Sequence, residues 1–282
     1  MLAAHISDTH IRNLKYHWEY RQAFADLYNK LRDQKPDVII HTGDIAHTKT
    51  QLSPEYFELT AEFLSTLADI APVIIIAGNH DGNLKNPDRQ DAITPIVTAL
   101  QHPNLIFLKN SGEYQFNDEV TFNVLSVFDR ENWVHPTDLS KINIALYHGS
   151  ISGCETGQGF KIRDGDDTSE IFQDFDYAFL GDIHKPQVMD RDGRVRYAGS
   201  TVQQNYGEDP RKGYLLWNIK TKEEFFVRHE VLVNPRPFLT ISLTEDGELP
   251  ETHIPKNARL RVMSRYNIPL TKLRQAVDAA EA

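Results

Sequence analysis

The sequence predicts an α/β fold in which two β-sheets pack face to face with helices outside. Three observations carry that expectation. Through residue 101, short runs that are apolar at every position alternate with longer stretches of helical periodicity, the pattern of parallel strands buried on both faces. After residue 104 the chain turns to a series of short β-rich pieces. Its 282 residues, 40% of them hydrophobic, suffice for a large core with a small unit attached.

The elements follow in order. Residues 2–7 read as the first strand, and YHWEYRQAFADLYNKLRDQ places Phe24, Leu27, Tyr28 and Leu31 at helical spacing. PDVIIHTGD is a buried strand cut off by Gly43. Ser53 and Pro54 open a second helix, a hydroxyl at the N-cap and a proline at the first helical position. Its apolar face is expected through Phe57, Ala61, Leu64 and Leu67. PVIIIAGNHDGN is a third strand ending in a glycine-flanked loop, and a third helix spans roughly 91–101. NLIFL, TFNVLSVF, INIALYHG, YAFLGDIH, RVRYAGS, GYLLWNI and EEFFVRHEVL supply the later strands. Two prolines in VNPRPF, residues 233–238, mark a boundary between a domain over 1–234 and a segment over 235–282. That segment reads as a strand, the acidic loop LTEDGELPE, the strand NARLRVM and a helix from about Pro269.

Net charge is −10, so a bulk positive field for polyanions is absent, and nucleic-acid binding would rest on local patches, metal ions or a partner. The single cysteine, Cys154, makes no internal disulfide and reads as a small core or loop residue. No run approaches the ~18 apolar residues of a membrane span. A strand beginning at residue 2 leaves no room for a signal peptide, so a cytoplasmic location is expected.

Chemistry gathers where strands end. SDTH (Asp8, His10), GDIAH (Asp44, His47), GNHD (Asn79, His80, Asp81), YHGS (His148) and GDIH (Asp182, His184) each follow an apolar strand. Ligands in such folds collect just past the carboxyl ends of strands. The donors are oxygen and nitrogen without thiolate, a set suited to hard or borderline divalent ions and not to a structural zinc site. Asp-x-His alone is a weak signal. Five of the twelve histidines falling in five consecutive strand-end motifs is a strong one. His5 and His41, each three residues before a motif aspartate, read as strand residues with ordinary hydrogen-bond partners.

The ordered motifs resemble the calcineurin-like metallophosphoesterase superfamily. Within it, HISDTH, GDIAH, GNHD and YAGSTVQQNYGE are most similar to SbcD-type nucleases, the nuclease subunits of the Mre–Rad (SbcC–SbcD) double-strand-break repair complex. The resemblance covers roughly residues 1–234 and implies a four-layer α-β-β-α metallophosphoesterase sandwich, with a small partial α+β cap segment at the C-terminus. It assigns one metal to Asp8, His10, Asp44 and His184, and a second to Asp44, Asn79, His148 and Asp182, with Asp44 bridging. Two cations about 3.5–4 Å apart can clamp a phosphodiester and activate a water between them. His80 then steadies or protonates the leaving oxygen, and His47 orients it or contacts phosphate. SbcD-type relatives usually carry His where this chain has Asp182. A third carboxylate is expected to favour Mn²⁺, or Mg²⁺, unless Asp182 swings away from the site.

The family resemblance further implies 3′-to-5′ exonuclease and single-strand endonuclease activity on DNA, a homodimer, and an SbcC-type coiled-coil ABC ATPase as partner. By that resemblance residues 235–282 look like the start of the cap, its later part either cut off or its partner-binding piece reduced. Arg12, Lys185 and Arg211 are candidate DNA contacts, with Lys212, Lys161 and Arg163 beside them. The polar loop SGCETGQGFKIRDGDD is a candidate cleft lining. Trp18, Tyr20 and Phe24 lie where relatives dimerise. A small-molecule phosphodiesterase or phosphatase of the same superfamily is the alternative, and a noncatalytic scaffold a third reading.

Overall fold

Strands form where the fully apolar runs stand. In a computed structural model, which describes residues 1–281, the chain runs β1 (Leu2–Ile6), α1 (His17–Gln34), β2 (Val38–His41), α2 (Pro54–Ile70), β3 (Val73–Ile76), α3 (Thr94–Leu100) and β4 (Leu105–Leu108). There follow β5 (Gly112–Gln115), β6 (Val120–Leu125), β7 (Ile142–His148), β8 (Tyr177–Gly181), β9 (Gln187–Val188), β10 (Val195–Tyr197), β11 (Gly213–Ile219) and β12 (Phe225–Val231). The C-terminal segment adds β13 (Phe238–Ser242), β14 (Arg259–Met263) and α4 (Leu270–Glu281).

Two six-stranded sheets form the sandwich, ordered β12-β11-β1-β2-β3-β4 and β5-β6-β7-β8-β10-β9. β1 to β4 are mutually parallel, as are β6, β7, β8 and β10. Alternation explains why the strands are apolar throughout. Ala4, Ile6, Ile39, Val73 and Ile75 face the helices. Ala3, Val38, Ile40, Ile74 and Ile76 face the other sheet, where they meet Phe122, Ile144, Leu146, Phe179 and Trp217. Each fully buried Val, Ile, Leu or Phe among them contributes roughly 1.5–3 kcal/mol.

α1 buries Tyr20, Ala23, Phe24, Leu27 and Leu31, and ends where Lys35 turns left-handed before Pro36. Tyr20 and Phe24 therefore belong to the chain's own core; of the three residues expected at a dimer face, only Trp18 is exposed, at 55%. α2 is capped by Ser53 as expected, its Oγ accepting from Tyr56 N at 3.1 Å. Its buried face differs from the expected one: Tyr56, Leu59, Thr60, Phe63, Leu64, Leu67 and Ala68 are inside, while Phe57 is exposed and Ala61 half-buried. Phe63 stacks on Phe24 at 4.3 Å, and that aromatic pair sets the rotation of the helix. α3 is shorter than expected: Asp91 accepts from Ile93 N and Thr94 N in a turn ahead of the helix, which begins only at Thr94 after the N-cap position Ile93.

Over the outer face of the second sheet, Ile151, Cys154 and Phe172 pack on Ala145, Tyr147 and Leu180. This outer layer is the glycine-rich 149–167 loop with a 3₁₀ turn at Ser169–Phe172, and not α-helix. β13 and β14 pair in parallel beyond Pro235 and Pro237. They are joined to the main domain by Gln203, which brackets Phe238 N and O at 2.9 Å each.

His5 and His41 sit as the sequence suggests, with Nε2 3.0 Å from Thr42 Oγ1 and 2.7 Å from Thr9 Oγ1 respectively. Complete burial pushes both down to about 3 from 6.5, so both are neutral in the fold. Below pH 6.5 the unfolded chain binds protons that the folded chain refuses. Their stabilisation is therefore complete above pH 6.5 and lost as pH falls from there towards 3, at about 1 kcal/mol per pH unit for each histidine. Urea midpoints measured between pH 7.5 and 5 should fall more steeply for the wild type than for His5→Gln/His41→Gln.

Candidate metal centre

The carboxyl ends of β1, β2 and β3 in one sheet and of β7 and β8 in the other meet at one edge of the sandwich. There the backbone is held in the left-handed region at Asp8, His10, Asp44 and Asp182, with φ of 49°, 48°, 58° and 93°. Each such residue costs of order 1–3 kcal/mol, and their clustering is the mark of a site that the surrounding fold constrains. Glycines let the two sheets approach. A Cβ on Gly181 would overlap Thr42 O and lie 2.8 Å from His148 Nδ1, and one on Gly78 would overlap Asp44.

All nine residues assigned to metals or catalysis from the sequence surround this edge. Three overlapping groups each bring one ligand atom per residue within 4.8 Å of one another: Asp8, His10 and His184; His10, Asp44 and His80; Asp8, Asp44 and His148. Asp44 Oδ2 lies 3.6 Å from His10 Nε2 and 3.4 Å from His148 Nε2, the central place expected of a bridging carboxylate. Asp182 Oδ1 lies 3.8 Å from His148 Nε2 and accepts from Asn79 Nδ2 at 3.2 Å, so its side chain turns into the site and not away.

Hydrogen bonds orient the imidazoles. His148 Nδ1 donates to Thr42 O at 2.7 Å, which leaves Nε2, buried and without a hydrogen-bond partner, aimed at carboxylates. His184 Nδ1 is bonded to Glu208 Oε1 at 2.9 Å, and its Nε2 faces His10 Nε2 at 2.9 Å. Burial, and then the neighbouring acids, push Asp182 up to about 6; burial also raises Asp8 despite the histidines around it. For His148 burial opposes charge, but Asp44, Asp8 and Asp182 outweigh it and raise the pKa well above 6.5. Oxygen and imidazole donors gathered around an orphaned Nε2 fit a divalent metal.

At the rim, His80 N donates to Asp44 Oδ1 at 2.7 Å, and its ring Nδ1 donates to His47 O at 2.9 Å. That fixes Nε2 as the atom free for proton exchange. Arg12 Nη1 donates to His47 Nε2 at 2.9 Å, and burial together with Arg12 pushes His47 down to about 4. His47 is thus neutral near pH 7 and held in place.

A family model for calcineurin-like phosphoesterases matches residues 1–186. The chain belongs to the calcineurin-like phosphoesterase family. An uncharacterised protein of Acanthamoeba polyphaga mimivirus is 38% identical over 272 residues, 91% of this chain; the chain spans 20% of that viral protein's length. A solved phosphoesterase from E. coli, YfcE, aligns over 83% of this chain and 99% of its own, at 13% identity and a TM-score of 0.35. The family uses divalent metal ions, and its metal-dependent phosphoester hydrolysis matches the donor clusters here. Among the described residues no helix is long and apolar enough to cross a membrane.

The candidate substrate contacts fare unevenly. Arg12 is taken up by His47 and by Gln204 Oε1 at 3.3 Å. Lys185 pairs with Glu155, and Arg211 with Asp209 at 3.0 Å; both line a cleft of about 470 Å³ beside His184. Lys161 and Arg163 are exposed on the loop nearby. Lys212 corrects an expectation. It is buried, donates to His184 O at 2.8 Å and pairs with Glu208 at 3.0 Å, so it is committed to the interior and not to substrate.

Two supporting residues escaped the sequence reading. Asp81, which stands in GNHD but has no role in the sequence analysis, is fully buried and accepts from Asp44 N, Ala46 N and Gly78 N at 2.8–2.9 Å, tying the second and third motifs together. Glu208 stands in the quoted segment YAGSTVQQNYGE, but nothing local marks it as the partner of His184. Burial would raise Glu208, yet the His184 hydrogen bond and Lys212 hold it down to about 2. Glu208→Ala would strand a buried lysine and free the His184 ring. Mn²⁺ affinity measured calorimetrically should fall about 10–100-fold, with Glu208→Gln, which keeps an acceptor, falling less.

Proposed function

We propose that this protein is a metal-dependent DNA nuclease, acting as a 3′-to-5′ exonuclease and single-strand endonuclease with an SbcC-type ATPase partner, as a homodimer. One observation carries the reading. The two features that separate the nuclease branch from its superfamily, the histidine of GDIAH and the YAGSTVQQNYGE segment, meet through Arg12, whose guanidinium spans His47 Nε2 and Gln204 Oε1. The exposed Trp18 and Leu14, 55% and 71% accessible, support a protein partner at the start of α1.

Asp8, His10, Asp44 and His184 would hold one divalent ion, and Asp44, Asn79, His148 and Asp182 the other. When bound, such ions supply Lewis acidity towards phosphate oxygens and an acidified water. The chain's own residues do the rest. Asp44 holds the His80 backbone, His47 O fixes the His80 tautomer, and His80 Nε2 carries the proton due to the leaving oxygen. His47, neutral and pinned by Arg12, keeps that rim in register.

Hydrolysis of labelled linear double- and single-stranded DNA with Mn²⁺ or Mg²⁺ tests this, beside bis-p-nitrophenyl phosphate and 2′,3′-cyclic AMP. DNA cleavage that His80→Ala abolishes is the expected result. Turnover of the small esters alone would overturn the nuclease reading in favour of a small-molecule phosphodiesterase. The third carboxylate is expected to favour hard ions, so Asp182→His should shift preference from Mn²⁺ and Mg²⁺ towards softer ions such as Zn²⁺; an unchanged preference and rate would dismiss that charge effect.

A further inference from the structure

Phe160 is 69% exposed, an unusual place for a phenyl ring on a loop whose other exposed residues are small or polar. It is not on a slack tip. Thr156 N donates to Phe160 O at 2.8 Å, Phe160 N to Thr156 Oγ1 at 3.2 Å, and Gly159 N to Thr156 O at 2.9 Å, closing a tight turn. Gly159 takes the left-handed φ of 85° that the turn requires. Below it, Gly153 N to Ile162 O and Ile162 N to Cys154 O continue as a two-stranded ribbon, and Glu155 exchanges hydrogen bonds with the Gln187 side chain. The ring is therefore presented by a braced arm.

What it is presented to is the reaction site. Phe160 and Gln158 line an open cavity of about 340 Å³ together with Asp182, His184 and Asn205. A flat apolar ring thus borders the same cleft as two candidate metal ligands. A phosphodiester held at those ligands puts its flanking groups into this cleft. Among the parts of a nucleic acid the base alone offers a π-face to match a phenyl ring.

We infer that Phe160 is a base-stacking platform, on which a nucleobase flanking the scissile phosphate rests with the Gln158 amide near its edge. This deepens the nuclease reading and rests on it. Stacking accepts any base, so the subsite lends affinity without sequence preference, and it serves single strands, whose bases are free to turn out.

The experiment uses the full Mn²⁺-loaded chain and a short single-stranded deoxyoligonucleotide. Matched oligonucleotides carry one tetrahydrofuran abasic residue on the 5′ or the 3′ side of the cleaved bond. Phe160→Ala should lower kcat/KM on the intact oligonucleotide about tenfold, mainly through KM, while Phe160→Trp keeps the wild-type value. One abasic substrate should be poorer for the wild type by a similar factor and insensitive to Phe160→Ala. Equal rates for Phe160→Ala and wild type on intact DNA would overturn the inference and leave the nuclease reading standing. An equal loss on intact and both abasic substrates would also overturn it, since the ring would then act on something other than a base. A wild type that cleaves bis-p-nitrophenyl phosphate but no DNA would remove the nuclease reading, and this subsite with it.

Discussion

Asp44→Ala is expected to abolish stoichiometric binding of divalent metal and to lower phosphodiester hydrolysis by roughly a thousandfold or more. The geometry concentrates three dependencies on this one carboxylate. Oδ2 faces both His10 and His148, and Oδ1 accepts from His80 N. Losing it removes the donor shared by both proposed ligand sets and releases the backbone of His80, the residue proposed to carry the leaving-group proton. Asp44→Asn separates these effects. The amide oxygen can still hold His80 N, so the rim keeps its shape, but the bridging charge is gone. Metal content by mass spectrometry should fall in both variants, with hydrolysis lost in both; a fully metallated Asp44→Ala protein would refute the bridging role.

Gly181→Ala should be among the most destabilising single-methyl additions in the chain. The added Cβ has no free direction: Thr42 O, Ser7 Oγ and His148 Nδ1 surround it, two of them on the opposite sheet. The sheets must separate locally, which costs on the order of 3 kcal/mol and lowers the melting temperature by roughly 6–10 °C. The same separation moves Asp182 from Asn79 and His148, so metal affinity should fall in step with stability. A melting temperature within a degree of wild type would show that the sheet contact at this edge is softer than the structure implies.

The catalytic edge was unusually legible because its chemistry is local in sequence. Each motif pairs its donors with the glycine or the strand end that positions them, and the order of the motifs along the chain carries the family resemblance. Hydrophobic period located α1 and α2, but the rotation of α2 was missed by about one residue. Periodicity states which spacing is apolar, and only the stacking of Phe63 on Phe24 chooses among neighbouring faces. The start of α3 was likewise delayed by the turn in which Asp91 accepts from Ile93 N and Thr94 N.

The sequence by itself determined the fold class, the strand ends at which chemistry gathers and the donor types available there. The tertiary structure alone decided that Glu208, 24 residues from His184, orients it, that Lys212 faces inward, and that Arg12 joins His47 to Gln204, which lies 192 residues beyond Arg12. The reason is physical. A strand's ending and a metal donor's identity are written in a few consecutive residues, whereas a side chain's partner depends on which distant backbone the sheets bring within hydrogen-bond reach, and that distance exists only in the folded chain.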